Sequence, residues 1–132
     1  MRLLNSLRLV MLTHVVILLM QAAFAGMLLG GSRQGHVMHE LTAKTIVLLA
    51  ALQVVLALAA RIRHACPRWV PVAAGVLLAA EVLEFAAGHL HNVVLHVPLG
   101  VGIFGGALRQ LLWAVREAKL APNYEELTPA RR

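Results

Sequence analysis

Aspartate is absent from this sequence, cysteine occurs once, and only 14% of the 132 residues are charged. A soluble globule of that size needs more polar surface to cover itself. With 60% hydrophobic residues and a mean hydropathy of +0.77, the chain requires lipid. The lone Cys66 excludes an internal disulfide and is given no role in a site. No phosphate-binding loop is present, no serine, histidine and acid share one depth, and no polar stripe could line a pore, so nothing suggests a hydrolase, a transferase or a channel.

The charge that is present leans positive: twelve Arg and Lys against six acids, all Glu, for a net +6. These basic residues flank long apolar runs and form no continuous patch, which points to membrane topology and away from nucleic acid. Four windows are long enough to cross about 30 Å of hydrocarbon as helices. They run roughly from Leu7 to Gly30, Ala43 to Ala60, Trp69 to Leu90, and Val94 to Val115. The first resembles a secretory signal, because Arg2 and Arg8 precede it and Ala23-Phe24-Ala25 looks like a cleavage site. Its apolar run continues through Gly26-Met27-Leu28-Leu29, so a retained span is expected.

Arg2 and Arg8, then Arg61, Arg63 and Arg68, then Arg116, Lys119, Arg131 and Arg132 mark three segments as cytoplasmic. The alternate connections hold only Arg33 and Lys44, or no Lys or Arg at all, and face outward. Gly30-Gly31, Pro67, Pro71 and the stretch from Gly88 to Asn92 fall where helix ends are needed. The expected fold is therefore an all-α, up-down-up-down four-helix transmembrane bundle over residues 1–119. It sits in the cell (inner or plasma) membrane with both termini cytoplasmic, and residues 120–132 form a cytoplasmic tail with no fixed fold.

Five of the seven histidines, His36, His39, His89, His91 and His96, map to the outer end from two separate connections. One would mean little; five suggest a site. His39 opens the second helix and His96 the fourth, so the two imidazoles should lie at similar depth on diagonal helices and could grip one iron. Small residues continue below each, with Ala43, Ile46, Ala50 and Ala57 under His39, and Gly100, Ile103 and Ala107 under His96. They would leave room for a porphyrin. Gly102, Gly105 and Gly106 either add to that room or form a close helix contact.

His89 and His91 point about 200° apart, and His91 is the expected inward one because it continues the stripe Glu81, Glu84 and Gly88. Glu84 either fixes the tautomer of a ligand imidazole or bonds His91 and nothing more. His36, Arg33 and Lys44 could meet haem propionates, or be ordinary solvated residues. A second polar level includes His14, with Gln21 above it and Arg109 and Gln110 across from it. His14 is expected to bond within the bundle, the alternative being a quinone pocket.

The segments Met38-His39-Glu40-Leu41 and Leu95-His96-Val97-Pro98-Leu99 resemble one four-helix half of the heme A synthase family, and most of the chain shares that texture. The chain is similar also to small single-domain actinobacterial membrane proteins. The resemblance implies a bis-histidine b-type haem on His39 and His96. The family has an acidic residue one turn before its first ligand, where this chain has Gly35, so a haem-binding half-unit is implied and haem-methyl oxidation is not. Dimerisation could restore a double unit.

Three functions follow from these features. The first is a small b-type cytochrome passing single electrons near the outer face. The second is a copper- or zinc-binding protein using the five outer histidines. The third is a cofactor-free accessory subunit of a larger respiratory or transport complex. An electron carrier or subunit is expected more than an enzyme, with the lipid bilayer as the common partner.

Overall fold

A computed structural model describes residues 2–127, and side chains over 2–117. Four α-helices make up almost all of it: α1 (Arg2–Leu29), α2 (Arg33–Ile62), α3 (Trp69–His89) and α4 (Val93–Leu127). Each is long and apolar enough to cross a membrane. Large apolar side chains point outward on every helix, as with Leu9, Leu48, Val72 and Val101. That pattern suits hydrocarbon surroundings, where the interior can be small and polar instead.

Helix ends follow local chemistry. The α1–α2, α2–α3 and α3–α4 connections each open with a paired turn that satisfies the last carbonyls of the preceding helix. In the first, Gly31 N–H donates to Leu28 O (2.9 Å) and Ser32 N–H to Met27 O (3.0 Å). In the second, Ala65 N–H donates to Ala60 O at 2.8 Å, and in the third Asn92 N–H donates to Ala87 O at 2.9 Å. Such turns need a left-handed residue, supplied by Gly31 (φ 81°), His64 (φ 54°) and His91 (φ 55°). Histidine is an uncommon choice there, because its Cβ crowds the next carbonyl.

Two boundaries differ from expectation. Helix α2 starts ten residues before Ala43, because Ser32 Oγ accepts the Gly35 N–H at 3.1 Å and caps an earlier first turn. His36 therefore lies on a helix and not in a connection. Helix α4 continues past Val115 to Leu127, so the first part of the expected unstructured tail is helical backbone. Ala118, Lys119, Leu120, Ala121, Glu125 and Glu126 are strong helix formers on either side of Pro122. The rest of the tail, 128–132, lies outside the described residues.

The helices pack in a closed ring, each on its neighbours in sequence and α4 back on α1, with α2 and α4 across the ring from one another. One end, here the basic end, gathers Arg8, Arg61, Arg63, Arg68 and Arg116. Its core is Leu7, Met11, Ala57, Ala60, Cys66, Val70, Ala74 and Ala114. The alanines let backbones come close, which is how helices bind tightly where lipid is as apolar as leucine. Burial pushes the Cys66 thiol up, against a weaker opposing pull from Arg61, so it stays a thiol and donates weakly to Ala57 O. The other end holds His36, His39, His89, His91 and His96.

Candidate functional site

At the histidine end, two imidazoles meet across the ring. His39, in the second turn of α2, and His96, in the first turn of α4, have ring centroids 6.3 Å apart with planes at 70°. His39 Nδ1 donates to the Gln21 backbone carbonyl at 3.2 Å, and its Nε2 receives the Gln21 side-chain amide at 3.3 Å. Gln21 Oε1 in turn faces the Thr42 hydroxyl. His96 Nδ1 donates to the Glu84 backbone carbonyl at 3.1 Å, and Glu84 Oε1 lies equally near, at 3.1 Å. Both rings are thus tied through Nδ1 to a backbone carbonyl, and this tautomer leaves Nε2 as the lone-pair nitrogen.

If a metal were held here, His39 and His96 would be the residues to hold it. A metal–imidazole bond is about 2 Å long and the ring adds about 1 Å on each side, placing centroids roughly 6 Å apart. Ligand histidines usually anchor their other nitrogen to a carbonyl or carboxylate, as both do here.

Glycine makes the arrangement possible. A Cβ on Gly100 would stand 2.9 Å from Glu84 Oε1, and one on Gly88 would stand 3.1 Å from His96 Cε1. Gly100 therefore makes room for the Glu84 carboxylate and not for a porphyrin face. Gly102 and Gly105 have nothing within 4 Å and point out of the bundle, while Gly106 packs near Leu77. The stripe Ile46, Ala50, Ala57, Ile103 and Ala107 is buried as expected.

The remaining expected site residues stand elsewhere. His91 is exposed in the α3–α4 turn and faces neither Glu84 nor the core, because α3 ends at His89 and the left-handed turn carries the next residues away. Glu84 bonds His96 instead. His89 is exposed, its ring 4.5 Å from that of Phe85. Arg33 and His36 are exposed, and Lys44 is held by Glu40 one turn away at 2.7 Å. Among the described residues, no three His, Cys, Asp or Glu side chains converge as a metal site. Of the five outer histidines, His39 and His96 are the two brought ring to ring.

A second polar layer lies deeper, with one residue from each helix: His14, Gln53, Glu81 and Gln110, all at most 2% exposed. Gln53 Nε2 donates to Gln110 Oε1 at 2.9 Å, which turns Gln53 Oε1 toward His14 Nδ1 at 3.1 Å and makes that nitrogen a donor. His14 Nε2 approaches Glu81 Oε1 to 2.8 Å. The approach is close but poorly aligned for a hydrogen bond, and Glu81 Oε2 has no partner. Its nearness still makes it the dominant contact of both groups, since two buried charges or one shared proton have no other counterpart there.

The sequence points to hydrogen bonding of His14 within the bundle but not to Glu81 as its partner. The available signal was that a carboxylate in a span needs a partner. Gln21 lies above His14 as expected but serves His39. Arg109 lies outside the layer, exposed over the Trp69 ring. Both His14 nitrogens face protein groups, Nδ1 toward Gln53 and Nε2 toward Glu81. No protein-family model, curated protein or solved structure matches this chain.

Proposed function

We propose that the chain is a multi-pass plasma-membrane protein, an up-down-up-down bundle with both termini cytoplasmic. At its outer end it binds one b-type haem through His39 and His96 and passes single electrons there. One observation carries this reading: two imidazoles from helices across the ring lie 6.3 Å apart, centroid to centroid, each anchored through Nδ1. When bound, haem would supply a reversible one-electron couple, and holding it through both His39 and His96 would favour electron transfer over oxygen binding.

The chain's own residues would orient and insulate. The Gln21 carbonyl holds the His39 ring, and the Glu84 carbonyl and carboxylate hold that of His96. Gly88 and Gly100 keep space for that second pair. The site lies where packing is loosest, since no α1 residue after Val15 and no α4 residue before Ile103 is buried. The likeness to a heme A synthase half-unit is supported by His39 and His96 alone. Assembly as a homodimer or within a larger membrane complex is compatible with Gly102 and Gly105 facing outward.

The test is an absorption spectrum of the purified full chain, oxidised and reduced, repeated for His39→Ala and His96→Ala. One haem per chain is expected, with a Soret band that sharpens on reduction and is lost or weakened in each variant. A colourless protein after haem reconstitution, or full haem retention in both variants, would sink the assignment.

A further inference from the structure

At the opposite end of the molecule, Arg109 stands seven residues, about 10 Å, deeper along α4 than Arg116. It is exposed, and among the described residues it meets no carboxylate; its neighbour is the face of Trp69, 5.5 Å from the guanidinium carbon. An arginine two turns inside a span is costly unless it reaches the interface or an anion. Beside it runs an open groove of about 590 Å³ between the start of α3 and the far half of α4.

The groove is graded along its length. Its deep part is lined by Gly105, Leu108 and Leu112, and because Gly105 has no side chain and nothing within 4 Å, it leaves an apolar slot. Its shallow part carries Arg109 and Arg116, with Glu117 as the one opposing charge. Trp69 and Trp113 form the wall, edge to face with centroids 5.3 Å apart. Indole rings favour this depth, where one side meets hydrocarbon and the other meets headgroups. Arg8 and Glu117 line the adjoining hollow, which places three guanidiniums against one carboxylate in the neighbourhood.

We propose that this groove holds one anionic phospholipid of the leaflet at the basic end, its phosphate between Arg109 and Arg116 and an acyl chain over Gly105, Leu108 and Leu112. An aqueous phosphate ion could use the arginines but not the slot, whereas a phospholipid satisfies both with one molecule. The site is independent of the haem reading and lies at the other end of the bundle.

Native mass spectrometry of the full chain, released from nanodiscs of equal parts phosphatidylglycerol and phosphatidylcholine, tests the site. Wild type should retain one phosphatidylglycerol in preference to phosphatidylcholine. The double variant Arg109→Gln, Arg116→Gln should lower that preference by roughly 25-fold, about five-fold for each guanidinium near the surface. Gly105→Leu, which keeps every charge, should also reduce retention by filling the slot. The control Arg63→Gln, Arg68→Gln removes the same charge outside the groove and should retain the lipid as wild type does. Equal retention of both lipids by wild type would overturn the proposal. So would equal loss in the control and groove variants, or displacement of the lipid by millimolar inorganic phosphate.

Discussion

Toward the basic end, alanines of α2, α3 and α4 close around Leu7 and Met11 of α1 in a core in which Ala57, Ala60 and Val70 have no exposed surface. Toward the histidine end, the same ring has no buried residue from α1 after Val15 or from α4 before Ile103. Between them lies the layer of His14, Gln53, Glu81 and Gln110. The difference separates two uses of polar residues in one bundle. Deep groups are fully enclosed, Glu81 Oε2 without a partner among them, whereas His39, His96 and Glu84 keep partial exposure. Closed packing stabilises; open packing leaves a place for something else.

That contrast can be broken most directly at the two glutamates one helical turn apart on α3. Glu81→Ala should destabilise the bundle by about 3–5 kcal/mol, because it strands His14 in a sealed layer. Glu84→Ala should cost about 1 kcal/mol, since His96 keeps the Glu84 backbone carbonyl. Unfolding of the purified protein in detergent measures both, and equal losses would mean that the histidine end is as closed as the other. Overpacking gives the next largest effect. Ala74→Leu should cost about 1–3 kcal/mol at the basic end, while Gly102→Leu, with open space around it, should stay within about 0.5 kcal/mol.

Gly100→Ala probes the histidine end itself. Its new methyl would press on Glu84 Oε1, so the expected outcome is a stability change of about 1 kcal/mol or less together with a shifted reduction potential in the haem-loaded protein. An unchanged potential would show that Glu84 does not act on His96. The smallest effects should be equal at the two ends. His64→Gly and His91→Gly each relieve a left-handed residue, so both should stabilise by about 1 kcal/mol in thermal unfolding. A gain at only one of them would tie that histidine to something beyond its turn.

Several elements were legible from residues alone. Gly30-Gly31 and the stretch from Gly88 to Asn92 marked turns, because a chain leaving a helix needs a left-handed residue and few side chains tolerate that conformation. Four long apolar windows could only be helices, since nothing else satisfies the backbone in hydrocarbon. His39 and His96 were singled out by their positions near the starts of α2 and α4. Other features were hidden for a specific reason. His91 looked inward only while α3 was extended past His89, and a one-residue change of conformation removed it from the stripe. Lys44 looked free until Glu40, one turn earlier, claimed it.

The sequence by itself determined four helices long and apolar enough to cross a membrane, with basic residues at one end and histidines at the other. Local hydrogen bonding and hydropathy act over one or two turns and need no knowledge of neighbours. Only the tertiary structure decided which polar residues share a layer. Glu81 pairs with His14 across 67 positions of sequence, and Glu84 turns to His96, because helix rotation and axial offset in the ring set those distances. Both quantities arise from the packing of alanines and glycines between helices, and no single helix carries them in its own pattern.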